Sequence, residues 1–308
     1  MCQDLAVVAS EVTEVDVGGR RLRLSNLTKV LYPEVGFTKA EVINYYVRVA
    51  PLLLTHAAGR CITFRRFPDG VDRASFFNKR CPDFRPPWLT TKPGPGEGGQ
   101  GIDYCQLNEV AAIAWAANLA ALELHGPMAR SSDLDSPTMV VFDLDPGAPA
   151  TIVECAQVAL DIRELIEPLG LVGFPKTSGS KGMQVYVPLN SPGTHEGAKS
   201  FALAVAQLLA KRYPKRILAS MSKDRRSGKV FIDWSQNSRH KTTICAYSLR
   251  ARSRPTVSTP ITWPEVVSGA EGEHLSFEVE DVLERVDRLG DLFAETATLV
   301  QELPRLAG

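Results

Sequence analysis

The sequence has no net charge to offer a partner: its 308 residues hold 35 Lys and Arg against 35 Asp and Glu. It also lacks a long apolar run. The longest uncharged apolar run, Val110 to Leu122, lies between Glu109 and Glu123 and falls short of the roughly 18 residues a membrane helix needs. The N-terminal Met-Cys-Gln-Asp-Leu has neither a basic n-region nor a continuous apolar segment, so no signal peptide and a cytoplasmic location are expected. The six cysteines are scattered, with no C-x-x-C pair, and free thiols are expected rather than a disulfide framework or a zinc site. What remains is 44% hydrophobic and 23% charged, ordinary for a globular protein and unlike a disordered or collagen-like one.

The charge is unevenly spread. Lys215 to Arg254 holds eleven Lys and Arg against Asp224 and Asp233, whereas Glu265 onward holds eleven acids against three Arg. Arg60 to Lys92 is a second basic stretch. Basic segments within structured sequence suit an anionic ligand, although a single run also fits a solvated face.

Val15 to Leu24 alternates around Gly18-Gly19 and predicts a β-hairpin. Thr38-x-x-Glu41 is a capping box. Its helix carries Val42, Tyr45, Tyr46 and Val49 on one face, can break at Pro51 and ends by Gly59. Residues 93–101, rich in Gly and Pro, read as a surface loop. Asn108 is expected to cap a small-residue helix ending near Gly126, and an acidic helix is expected from about Phe277 to Leu303. Strands mix with helices and no long linker divides them, which predicts one α/β or α+β unit.

Three motifs carry chemistry. In Met139 to Gly147 an apolar strand delivers Asp143 and Asp145, which alternation places on one face. Two such carboxylates repel each other unless a cation lies between them, and hard oxygen ligands suit Mg²⁺ or Mn²⁺. Asp-x-Asp alone serves phosphatases, glycosyltransferases and nucleotidyltransferases alike. Lys176 to Gly182 (Lys-Thr-Ser-Gly-Ser-Lys-Gly) supplies glycines, Ser178, Ser180 and Lys181 for a phosphate, without being a Walker A loop. Gly228 to Asn237 brings a third aspartate, Asp233, on an apolar strand within the most basic region; it fits a metal ligand or an ion pair. Arg250, Arg252 and Arg254 alternate and can face one way. Phe76-Phe77, among Arg73, Lys79 and Arg80, pairs aromatic with basic side chains as base stacking beside a phosphate backbone requires.

In this order, N-x-x-K-V-L-Y-P (26–33), V-F-D-L-D-P-G (141–147), T-S-G-S-K-G (177–182), K-V-F-I-D-W-S-Q-N (229–237) and S-L-R (248–250) resemble the archaeo-eukaryotic primase superfamily. The set is more closely similar to the polymerase domain of bacterial ligase D and its stand-alone prim-pol relatives. The resemblance runs from about Leu22 into the acidic region 265–308. It implies an α+β primase-like core of mixed sheets with flanking helices, forming a single catalytic domain over 1–308 with its motifs between about 22 and 254. It implies that Asp143, Asp145 and Asp233 bind two divalent ions, Mn²⁺ or Mg²⁺, and that Ser178, Ser180, Lys181 and Arg250 hold a nucleoside triphosphate. His125, at the expected helix end, and Arg65 would lie at the incoming nucleotide. Phe77, with Phe76, would stack on the forming base pair. Asn26, Lys29 and Lys39 match a pocket for a 5′-phosphate across a gap or break. Relatives usually carry histidine where this chain has Gln184, which implies weaker triphosphate binding or compensation by Arg250 or Arg252.

The implied activity is templated addition of NTPs or dNTPs to gapped or broken duplex DNA bearing a 5′-phosphate, in end joining or excision repair. The implied partners are DNA, Ku and a separate ligase, with no membrane and a nucleoid-associated cytoplasmic location. No ligase K-x-D-G motif occurs. Two other readings stay open: a haloacid-dehalogenase-type phosphohydrolase and a non-catalytic nucleic-acid binder.

Overall fold

In the computed structural model, residues 12–96 and 100–304 are described; the leader-free N-terminus expected above lies outside them. The strands are β1 Val12–Val17, β2 Arg20–Ser25, β3 Val30–Tyr32, β4 Phe37–Thr38, β5 Thr63–Arg66, β6 Phe76–Asn78, β7 Thr91–Pro95, β8 Gly101–Cys105 and β9 Ala121–Gly126. They continue with β10 Ala129–Arg130, β11 Asp133–Pro137, β12 Met139–Pro146, β13 Phe174–Thr177, β14 Met183–Pro188, β15 Ile217–Leu218, β16 Val230–Asp233 and β17 Thr243–Ile244. The helices are α1 Lys39–Ala57, α2 Val110–Asn118, α3 Ile152–Ile166, α4 His195–Arg212, α5 Trp263–Ala270 and α6 Val279–Leu289.

Two larger sheets organise the chain. One has the order β17-β9-β5-β6 and the other β13-β14-β12-β16-β15, with four further two-stranded ribbons. In the second sheet only β15–β16 is parallel. This mixture of antiparallel sheets and helices is the expected α+β class. Each sheet has an apolar layer. Tyr45, Tyr46, Val49 and Leu53 of α1 pack with α2 and the first sheet; Val158, Ile162, Phe201 and Val205 of α3 and α4 pack with β12, β14 and β16. Val141 and Tyr186 of the second sheet join the first core, so the two layers share side chains.

Local signals explain most elements. Gly18 and Gly19, at φ +58° and +78°, supply the two left-handed residues that a tight hairpin turn demands, and β1 pairs with β2 across them. Thr38 and Glu41 complete the capping box, as do Thr151 and Glu154 at α3. Helix α1 passes through Pro51 to Ala57.

Five expectations are corrected, the free thiols among them. The helix after Asn108 stops at Asn118; Ala120 adopts φ +55° and a strand follows. Asn108 caps no helix: its Oδ1 accepts from Gly59 N at 2.9 Å. Much of 93–101 belongs to the β7–β8 hairpin; residues 97–99 are outside the description. The acidic helix spans only Val279–Leu289, where Gly290 ends it at φ +67°. Cys81 and Cys105 are joined by a disulfide. Cys81 N donates to Asp103 O at 2.7 Å, which holds the loop after β6 against β8; this adjacency leaves no trace in cysteine spacing.

Candidate active site

Antiparallel pairing sets Asp143 of β12 directly opposite Asp233 of β16 and, on the other side, opposite Gln184 of β14. Asp145 lies two residues on. Directly paired residues and i, i+2 neighbours project from the same face of a sheet, so three carboxylates and one amide share that face. Like charges directly opposite destabilise a sheet. At Asp143 burial first, then Asp145 and, to a smaller extent, the opposed Asp233 push its carboxyl up to about 7, although a hydrogen bond from Gln184 opposes the rise. Partial desolvation and Asp233 also push Asp145 upward, with Arg226 pulling it back.

The Asp233 carboxylate is turned into its own chain. It accepts from Ser235 N and Oγ at 3.0 and 2.5 Å and from Gln236 Nε2 at 3.0 Å, capping the short helix Trp234–Asn237. Accordingly, no group of three or more His, Cys, Asp or Glu side chains stands ready to hold a metal ion among the described residues. The donor set still fits one. All three groups are hard carboxylate oxygens, and the raised carboxyls of Asp143 and Asp145 are those a cation would relieve. Rotation of Asp233 away from Ser235 would complete the set.

A cavity of about 300 Å³ opens over this face, lined by His125, Asp143, Asp145, Ser178, Lys181, Arg250 and their neighbours. The loop between β13 and β14 forms one wall. Ser178 N donates to Gly182 O at 2.9 Å, and Ser178 Oγ accepts from Ser180 N and Gly182 N, each at 3.3 Å. Gly179, at φ +66°, leaves no room for a Cβ, which would meet Val257 C at 2.5 Å. Arg250 Nη1 donates to Ser178 O at 3.0 Å, Arg252 bonds Ser180 Oγ, and Lys181 is exposed. Arg254 does not join them; it pairs with Glu278 at 2.5 Å.

Gln184 does not reach into the cavity as a free donor. Its Nε2 donates to Asp143 Oδ1 at 2.9 Å and its Oε1 accepts from Tyr186 at 3.2 Å. Beside it lies a group the sequence reading left without a role. Lys176 is buried, donates to Ser258 Oγ at 2.6 Å, and is pulled down by burial to about 7 while Asp143 draws it back up.

The first sheet supplies the opposite wall. His125 lies on strand β9, not at a helix end, and its Nε2 meets Glu123 Oε2 at 3.0 Å. Phe77 stacks edge-on with His125 and lies under the Arg65 guanidinium, at centroid distances of 5.7 and 5.4 Å. Alternation sends the adjacent pair Arg66 and Phe76 to the other face, where they stack at 5.2 Å. Both phenylalanines are exposed, 47% for Phe76 and 60% for Phe77, so neither serves the core.

Arg66 lies beside Lys39 and Lys29, two of the three residues that the resemblance assigns to a 5′-phosphate pocket. Lys29 N donates to Asn26 O at 3.0 Å and Lys39 N to Lys29 O at 2.8 Å. Lys39 Nζ is buried and donates to Ser25 O at 2.6 Å. Burial, then Lys29 and Arg66, pull it down to about 8. Lys29 Nζ meets Asp69 at 2.7 Å. Arg66 thus belongs to this basic cluster, a residue the sequence reading passed over in favour of Arg65.

The family model described as LigD, primase-polymerase domain, matches residues 38–293. The multifunctional non-homologous end joining protein LigD of Mycolicibacterium smegmatis is 45% identical over 276 residues, 89% of this chain and 36% of that protein. The corresponding protein of Mycobacterium tuberculosis is 43% identical over 281 residues, again 89% and 36%. The chain therefore spans about a third of the length of these relatives. A solved structure of the polymerase domain of Mycobacterium tuberculosis ligase D in complex with DNA superposes with a TM-score of 0.85 at 40% identity, covering 91% of this chain and 99% of that one. No helix among the described residues is long and apolar enough to cross a membrane.

Proposed function

The chain belongs to the LigD primase-polymerase family, and from that premise we propose that it is a templated nucleotidyltransferase acting on gapped or broken duplex DNA in end joining. The observation that carries the reading is the convergence of Asp143, Asp145, Ser178, Lys181 and Arg250 on one cavity, with Asp233 on the same sheet face. A relative bound to DNA supports the same class of ligand. Family membership sets aside the phosphohydrolase reading.

Asp143, Asp145 and a rotated Asp233 would hold Mn²⁺ or Mg²⁺ as two ions. When bound, such ions make a primer 3′-hydroxyl more acidic and stabilise charge on a leaving pyrophosphate. The remaining steps belong to the chain's own residues. Ser178, Ser180 and Lys181 offer donors and one charge to the triphosphate, and Arg250 presents its guanidinium edge beside them. Phe77 gives the base a stacking surface, Arg65 fixes that ring, and His125 closes the sugar side. Phe76 with Arg66, Lys29, Lys39 and Asn26 would take the 5′-phosphorylated end. Ku and a ligase activity, on this or a separate polypeptide, complete the proposed pathway, which would operate at the nucleoid. The domain is read as a single catalytic unit over 1–308, using NTPs and dNTPs.

The test is primer extension on a gapped duplex with Mn²⁺, following pyrophosphate. Release of pyrophosphate matched to extension, lost in Asp143→Ala/Asp145→Ala, supports the reading. Release of orthophosphate, or DNA binding without incorporation under both Mg²⁺ and Mn²⁺, refutes it.

A further inference from the structure

Glu123 is an acid in an apolar strand, 2% exposed and absent from the lining of the cavity. An ionised carboxylate so buried needs compensation by several donors. Its Oε1 accepts from Arg250 Nε and from Ala251 N, each at 3.1 Å. Its Oε2 accepts from His125 Nε2 at 3.0 Å and from Arg65 Nη1 at 3.4 Å. Burial would raise this carboxyl, but the His125 hydrogen bond, the Arg250 and His125 charges and the Ala251 amide outweigh it and hold Glu123 well below the usual carboxylate range.

The geometry follows from strand register. Glu123 and His125 are two apart on β9, and Arg65 of β5 pairs directly with Glu123, so all three share one face. Arg250 arrives from the segment after β17. Among the described residues, each side chain that donates to Glu123 belongs to the proposed nucleotide wall, and each uses only part of its donor set there. Arg250 keeps Nη1 for Ser178 O, and its Nη2 has no hydrogen bond among the described residues. Arg65 keeps the face that covers Phe77. A carboxylate only accepts, so His125 Nε2 must carry a proton; in the neutral ring, Nδ1 is then an acceptor.

We propose that Glu123 is the positioning residue of the nucleotide pocket: one buried anion that sets the tautomer of His125 and aims the guanidinium groups of Arg250 and Arg65 at a bound nucleoside triphosphate. The proposal rests on the reading of this cavity as the nucleotide site. Glu123 touches no substrate; it acts through the three side chains it holds. A glutamine of the same shape places an NH₂ where two donors already point, so at least one of the four contacts must break, His125 can keep its contact only by giving up the Nε2 proton, and the guanidinium edges lose their common anchor.

The experiment compares wild type, Glu123→Gln and Glu123→Asp by thermal melting, by steady-state incorporation on a gapped duplex, and by imidazole ¹⁵N spectra of the ligand-free proteins. For folded Glu123→Gln, KM for the nucleotide is expected to rise about ten- to a hundred-fold, equivalent to one charge-assisted hydrogen bond. Its kcat and its affinity for 5′-phosphorylated DNA should change far less, and the His125 spectrum should shift as the proton leaves Nε2. Glu123→Asp keeps the charge on a shorter arm and should recover part of the KM loss. A folded Glu123→Gln protein with wild-type KM overturns the proposal. If Glu123→Gln does not fold, Glu123→Asp decides: a raised KM with kcat retained supports the positioning role, and a wild-type KM ends it. If wild type incorporates no nucleotide, the reading of the pocket falls. The positioning role falls with it, and the histidine spectrum then shows by a shift, or refutes by none, only that Glu123 sets the His125 tautomer.

Discussion

Replacing Asp143 by asparagine should stabilise the ion-free protein while abolishing its chemistry. Asp143 faces Asp233 across the strand pair and lies two residues from Asp145. Its carboxyl stands at about 7 against an ordinary 3.8, through burial and then the charge of Asp145. A group raised in the folded state stabilises the fold fully below its unfolded value, and that stabilisation is lost as pH climbs through the folded value. Wild type in EDTA should therefore weaken between roughly pH 4 and pH 7 and stay weaker above. At ~1.4 kcal/mol per unit, a rise of ~3 units caps the loss at ~4 kcal/mol. Asp143 keeps some solvent access and shares its proton with neighbours, so ~1–3 kcal/mol is expected. The asparagine side chain of Asp143→Asn could keep an amide contact with Gln184 and carries no charge. Urea denaturation in EDTA at pH 5 and pH 8.5 measures this. Asp143→Asn should match wild type within about 1 kcal/mol at pH 5 and exceed it at pH 8.5. Added Mn²⁺ should close the gap at pH 8.5 by stabilising wild type alone. A variant less stable than wild type at pH 8.5, or a difference independent of pH, refutes the electrostatic account.

Phe77→Ala should leave the melting temperature unchanged, because the ring is exposed, and should raise nucleotide KM by about five- to a hundred-fold, the worth of one base stack; steady-state extension reads it. Arg66→Ala should erase the preference for a 5′-phosphorylated gap and leave extension of an unphosphorylated primer intact, measured by paired substrates. Lys39 stands at about 8 before DNA binds, so affinity for the 5′-phosphate should fall as pH rises above about 8, in titrations with and without the phosphate. Reduction of the Cys81–Cys105 disulfide, which closes a loop of separation 24, should cost ~3 kcal/mol, read as a lower melting temperature in dithiothreitol that Cys81→Ser reproduces.

What the sequence disclosed depended on the range of the signal. The Gly18-Gly19 hairpin, the capping boxes at Thr38 and Thr151, and the shared face of Asp143 and Asp145 all depend on residues within four positions, where periodicity and cap chemistry act. The run from Val110 to Leu124 misled, because Ala and Leu favour helix and nothing local marks the left-handed Ala120 that starts β9; His125 was carried with it. Arg65 and Arg66 are indistinguishable in sequence until β5 is paired and alternation divides them. Glu123 was not legible: a lone acid in an apolar strand signals only that a partner exists, and its partners lie 2, 58, 127 and 128 residues away. The orientation of Asp233 was equally hidden, since its capping of Ser235 competes with any ion it would hold.

The central claim is templated nucleotide addition by the aspartate face. Its most direct test is single-nucleotide incorporation into one-nucleotide gaps differing only in the template base, with Mn²⁺ and with or without the downstream 5′-phosphate. The account predicts addition of the complementary nucleotide in each case, increased by the phosphate and absent in Asp143→Ala/Asp145→Ala. Addition that ignores the template base, or persists in the double variant, would contradict it.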